Sequence, residues 1–209
     1  MARSLRVDLD GLAHAAGVDL RAALQQLEAL YHDIDERNER NTRGLDLPCS
    51  RGCDSCCHDS VFLTPLEFYG AWDYLQRVYD DETLEYVIEE GLRLYATHRE
   101  VIDAFDRPPP GGDVDHTNLA RTLSLRCPLL GEAGACLVYP MRETLARLFG
   151  CSFNDDGGIY GCHLIGEKLG GKVVRLVRAR PMAMRVHDLP LTERQQVYPH
   201  YIHALYGES

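Results

Sequence analysis

The chain has 209 residues, 45% hydrophobic and 26% charged, a composition that excludes wholesale disorder and a length that suits one ordinary domain. Asp and Glu number 32 against 22 Lys and Arg, giving a net charge of −10 with neutral His. Such an acid excess repels phosphate backbones and excludes nucleic acid as the main partner, and no apolar run reaches the ~20 residues of a membrane span.

The first segment, MARSLRVDLDGLAHAAG, is broken by Asp8, Asp10 and His14 and lacks the continuous apolar stretch of a secretory signal. The expected compartment is therefore the cytoplasm, where thiols stay reduced. Leu20, Leu24, Leu27, Tyr31 and Ile34 recur at spacings of three and four, which predicts an N-terminal helix over 19–42 with Asp19 as its cap. Arg21, Gln25, Glu28 and Asp35 fall on its polar face. After a short strand at Val61 to Leu63, Thr64-Pro65-Leu66-Glu67 reads as a capping box with proline at the first helical position. That helix is expected to reach Tyr79. A second is expected from Asp80 or Asp81 to Phe105, its apolar face formed by Leu84, Val87, Ile88, Leu92, Tyr95, Val101, Ile102 and Phe105.

Pro108-Pro109-Pro110-Gly111-Gly112 marks a loop. Cys127-Pro128-Leu129-Leu130, the turn Gly131 to Gly134, and Ala135 to Tyr139 read as a hairpin. Met141 to Phe149 predicts a helix ending at Gly150, and Lys172 to Val177 has strand character. The last predicted element is a C-terminal helical segment over 191–206, kinked or divided at Pro199. The expected fold is mainly α with some α+β character. It forms one domain over 1–209, a helical body with short strands and hairpins around a cysteine core at 49–165.

Eight cysteines are the anomaly: Cys49, Cys53, Cys56, Cys57, Cys127, Cys136, Cys151 and Cys162. The first four form a Cys-x3-Cys-x2-Cys-Cys run, and soft thiolates packed so closely signal a metal. A helical turn there would put Cys53, Cys56 and Cys57 on one face but would splay Cys56 and Cys57 by about 100 degrees, against their sharing one tetrahedral ion. The second four have no zinc-knuckle spacing, so a zinc ribbon is disfavoured. Iron–sulfur ligation tolerates irregular spacing, and Cys127-Pro128 matches the proline that follows a ligand in ferredoxin runs. The reading therefore favours a [4Fe-4S] iron–sulfur cluster, with zinc as the alternative and a disulfide scaffold as the third. His58 and His163 each follow a cysteine and are secondary candidates. Arg51, Arg126, Arg142 and Arg147 are placed to offset thiolate charge.

These residues resemble the YkgJ-like cysteine-cluster family of zinc- or iron-chelating domains. Its signature continues with Cys-Pro-x-Leu, here Cys127-Pro128-Leu129-Leu130, and with Gly-x-Cys-x-x-Tyr-x-x-Arg-Pro-x-x-Cys-Arg, here Gly134 to Arg147. The chain departs from it at Glu143, where the family has Pro, and at Ala146, where it has Cys. Cys151 is the candidate replacement. The resemblance implies metal chelation, and the leading candidate ligands are Cys49, Cys53, Cys57, Cys127 and Cys136, followed by Cys56, Cys151 and Cys162. It extends distantly to flagellin lysine N-methylase, which carries an iron–sulfur cluster, and so implies S-adenosylmethionine-dependent lysine methylation as an alternative.

Three roles follow. The first is a structural or redox metal site. The second is an enzyme, since Cys49-x3-Cys53-x2-Cys56 also has radical S-adenosylmethionine spacing, although no alternating strand–helix pattern supports that barrel. The third is zinc or iron delivery or sensing, with Cys57 as the labile exposed thiol. Glu89-Glu90 and Asp80-Asp81 read as solvated helix residues. Gly157-Gly158 and Gly170-Gly171 read as turns.

Overall fold

The computed structural model describes residues 4–47, 53–105 and 123–207. Helix α1, Leu9–Ala15, is capped by Asp8, which accepts from the Gly11 N–H at 2.9 Å. Helix α2, Leu20–Thr42, starts where its cap predicts: Asp19 accepts from the Ala22 N–H at 3.0 Å. All five residues of its predicted apolar stripe are buried, and Arg21, Gln25 and Glu28 face water.

Strand β1, Phe62–Leu63, leads through Thr64 into helix α3, Pro65–Val78. The capping box is complete. Glu67 N–H donates to Thr64 Oγ1 at 3.3 Å, and Thr64 N–H donates back to Glu67 Oε2 at 2.9 Å. Helix α4, Asp81–Ala104, is capped by Asp80, which accepts from the Thr83 N–H at 3.0 Å. It bends at His98, where φ is −118° and ψ 18°. Beyond the bend the buried side runs through Ile102 and Phe105, while Val101, expected on it, is 41% exposed. The proline-rich loop falls outside the described residues.

The expected hairpin after Cys127 is present as a tight turn. Leu130 bridges Cys136, and Gly131 N–H donates to Ala135 O at 2.8 Å. The next helix is shorter than its pattern suggests. Residues 142 and 143 are extended, so α5 covers only Thr144–Leu148. Gly150 follows at φ +76°, in the left-handed region that suits glycine. Strand β2, Ser152–Phe153, pairs in parallel with β3, Val177–Arg178, and Phe153 also bridges Ile159 across the turn at Gly157-Gly158. Only Val177 of the predicted 172–177 strand belongs to it.

Two helices carried too few periodic positions to be read from sequence: α6, His163–Leu169, and α7, Ala179–Met184. The C-terminal segment also needs correction. Residues 191–195 are not helical. Gln196–Val197 form β4, antiparallel to β1, and helix α8 spans Tyr198–Tyr206. Pro199 lies in the first turn of α8, where its missing N–H costs nothing, so it starts the helix instead of kinking one.

One apolar core joins α1, α2, α3, α4 and α8, with Trp72 and Phe68 at its centre, Phe68 stacked on Trp72 at 5.3 Å and on Tyr201 at 4.9 Å. The chain is thus mainly helical, with four two-residue strands among the described residues. No described helix is long and apolar enough to cross a membrane.

Glu67 ties this body to the later cysteine segment. Besides closing the capping box it accepts from the Thr144 N–H at 2.8 Å and from the Tyr31 hydroxyl at 3.4 Å, all in a buried setting. Replacing Thr64 by Ala removes one cap and is expected to cost about 1 kcal/mol. Glu67→Ala strands two buried N–H groups and is expected to cost about 3 kcal/mol. Urea unfolding of both variants checks the ranking; equal losses would mean that Glu67 acts only as a cap.

Candidate metal centre

The thiols are positioned by backbone. Ser55–His58 form a 3-10 turn, closed by Cys57 N–H donating to Asp54 O at 2.7 Å. The carbonyl of Cys57 accepts from the Cys127 N–H at 2.7 Å, which fixes the first cysteine segment against the second. The turn between Cys127 and Cys136 is held by Leu137 N–H donating to Leu129 O at 3.0 Å, and by the Tyr79 hydroxyl donating to Leu137 O at 3.0 Å. Arg126 adds a bond from Nη2 to Leu130 O at 3.0 Å.

The product is a pocket of about 90 Å³ lined by Cys53, Cys56, Cys57, Cys127, Cys136 and Cys162. That volume is well above the roughly 10–15 Å³ that one water needs. Both Cys56 and Cys57 line the pocket, and their thiols interact. That contact holds the Cys56 thiol below its ordinary value, helped by the Arg142 charge, and raises Cys57 strongly. Burial raises Cys127 strongly and pushes Cys136 up to about 11, with Glu143 adding to both. Cys57 is also not the exposed thiol expected of a labile ligand. It is 7% exposed, because its turn faces inward onto Cys127, and Cys56 is the more open of the two.

The remaining candidates separate cleanly. Cys49 and Arg51 lie outside the described residues. The seven described cysteines are free. Cys151 does not line the pocket. It follows α5 and lies near Cys162, its thiol raised mainly by burial. Ala146, at the position where the resembled signature has Cys, does line the pocket, and so does Cys162. Cys162 reaches the pocket from the far side of the turn that holds Gly157. His58 pairs instead with Asp54 at 3.0 Å, and neither it nor His163 lines the pocket.

The arginines also divide. Arg147 is 2% exposed and fully engaged. Nε donates to Arg142 O at 2.8 Å, Nη2 donates to Pro140 O at 2.5 Å, Nη1 pairs with Asp35, and the guanidinium covers the Tyr31 ring at 3.9 Å. It is structural. Arg142 lines the pocket, lies over the Tyr139 ring at 4.4 Å, and exerts its charge on Cys56, Cys136 and Cys151.

Glu143 and Tyr198, neither of them marked as a site residue by the sequence, complete the interior. The Tyr198 hydroxyl donates to Glu143 Oε2 at 2.8 Å, and burial raises both groups. Glu143 stands out in sequence only as a departure from the resembled signature. Tyr198 carries no local signal, because it arrives from the last helix.

Among the described residues no three cysteine, histidine or carboxylate side chains are drawn together closely enough to hold one metal ion. The pocket collects sulfur without closing it into a coordination sphere. No family model, curated protein or solved structure matches the chain.

Glu143 gives a pH prediction for the reduced, metal-free chain. Its carboxyl is raised by burial, so the folded state takes up the proton more readily than the unfolded chain, whose value is about 4.3. Stability from this group is therefore gained as pH falls through the raised value and lost as pH rises. Glu143→Gln lacks that dependence. Its melting temperature should equal or exceed the wild type near neutrality, and the wild type should gain on it steadily toward about pH 5. Parallel curves would contradict the assignment.

Proposed function

We propose that the chain is a metal-binding cysteine-cluster protein of the YkgJ-like kind, acting in the cytoplasm and holding an iron–sulfur cluster in a structural or redox role. One observation carries this reading: thiols from two segments far apart in sequence, Cys56 and Cys57 on one side and Cys127 and Cys136 on the other, line a single pocket. The donor chemistry suits a thiophilic centre. Six cysteines line the pocket, and of its two carboxyl side chains, Asp59 and Glu143, the second is engaged by Tyr198. Arg142 supplies a positive charge where thiolates would otherwise be costly to bury.

Cys53, Cys56, Cys57, Cys127 and Cys136 would hold the centre, joined by Cys49 from the same run. A cluster bound there would supply one-electron redox chemistry or a fixed structural node. The protein's own part is to present the sulfurs in a mostly apolar pocket and to release their protons on loading. More sulfurs than one tetrahedral ion requires, at irregular spacing, favour an iron–sulfur cluster over zinc.

Anaerobic purification with iron, sulfide and zinc analysis and a visible spectrum tests this. Iron with matching acid-labile sulfide supports the cluster. Stoichiometric zinc without sulfide replaces it with a zinc site, and a folded chain that takes up neither metal ends the proposal. Cys57→Ser and Cys136→Ser should each lose at least half of the bound metal, whereas Cys151→Ser should keep it. Ala146→Cys adds a sulfur to the pocket wall and should slow metal loss to a chelator. Loss from Cys151→Ser equal to that from Cys136→Ser would relocate the site.

A further inference from the structure

We infer that the thiol pocket is also a binding site for a small carboxylate with a short apolar tail, recognised by Arg142. Arg142 has an unmet donor among the described residues. Its Nε is buried and meets no acceptor among the described residues, a costly state for a charged donor. Arg147, five residues on, has carbonyl oxygens on Nε and Nη2 and a carboxylate on Nη1. The contrast is instructive because the backbone of Arg142 is itself held firmly, its carbonyl being the acceptor for Arg147 Nε.

The neighbours do not supply the missing acceptor. Tyr139, 60% exposed, covers the face of the guanidinium, and Arg142 is part of the pocket lining. Glu143 is turned to Tyr198. Cys56 and Cys136 feel the charge of Arg142, yet no sulfur accepts from Nε. A planar fork with an unused edge suits a carboxylate, which two parallel N–H donors can grip.

The rest of the pocket sets the tail. Leu129, Val138, Ala146 and Val197 line it, so a few methylene groups would meet apolar wall. Such surroundings also strengthen an ion pair by keeping water out. The inference concerns the protein without metal and stands apart from the metal reading.

The test uses the reduced, metal-free full chain with labelled methyl groups, titrated with sodium butyrate and, as a neutral control, butyramide. Butyrate should produce saturable shifts at Ala146, Leu129 and Val138, and butyramide should not. Arg142→Gln should weaken butyrate binding about tenfold or more, in line with loss of a charged hydrogen bond. Arg142→Lys keeps the charge but not the fork, and should weaken binding several-fold. It decides the matter if the Gln variant does not fold. Absent saturation, equal shifts with butyramide, or unchanged affinity in the folded variants would each overturn the inference. Metal content is measured on separately purified protein, so a failure of the metal reading is seen apart from this result.

Discussion

The geometry of the thiol pocket depends on one buried carboxylate. Glu67 gathers the Thr64 N–H, the Thr64 hydroxyl, the Thr144 N–H and the Tyr31 hydroxyl around its two oxygens. Thr64 follows the strand that leaves the first cysteine segment, and Thr144 opens the helix that follows the second. Both segments are therefore referred to the same helix, α3. The backbone bond from Cys127 N–H to Cys57 O then sets their mutual register. In this arrangement the helical body places the backbone that carries both cysteine segments.

Two arginines in one stretch show how packing decides roles that residue type leaves open. Arg142 and Arg147 both lie over a tyrosine ring, at 4.4 and 3.9 Å. Arg147 is surrounded by carbonyl groups and Asp35, and it locks α5 to α2 with help from Asn38, whose Nδ2 donates to the Arg147 carbonyl at 2.8 Å. Arg142 keeps its charge for the pocket. Nothing in the sequence distinguishes them, since each is an Arg a few residues beyond Cys136. The groups that do so are Tyr31 and Asp35 of helix α2, which engage Arg147, and Tyr139 and the Cys56-Cys57 turn, which neighbour Arg142.

The same principle divides what was legible in the chain from what was not. The Thr64 to Glu67 box, the Asp19 and Asp80 caps and the stripe from Leu20 to Ile34 are local signals, and each yields the element it predicts. Periodicity failed where tertiary pairing took over. Gln196 and Val197 continue a helical pattern, but β1 offers them a partner strand, and the helix starts only at Tyr198. Arg142 and Glu143 sit inside an apparent helix, yet their backbone is extended so that one side chain reaches the Tyr139 ring and the other reaches Tyr198. The cysteines were legible as a cluster. Which of them face one another was not: helical geometry splays Cys56 from Cys57, and sequence proximity favours Cys151 over Cys162.

Charge balance ties these details together. Several thiolates in an apolar pocket repel one another, and an ionised Glu143 beside them would add to the repulsion. Burial and the Tyr198 hydroxyl act on Glu143 in opposite directions, and burial prevails, so the carboxyl is biased toward its neutral form. Arg142 exerts its charge on Glu143 as well as on Cys56 and Cys136. The electrostatics of the pocket thus depend on Arg142, Glu143 and the Tyr198 hydroxyl of the last helix as well as on the thiols.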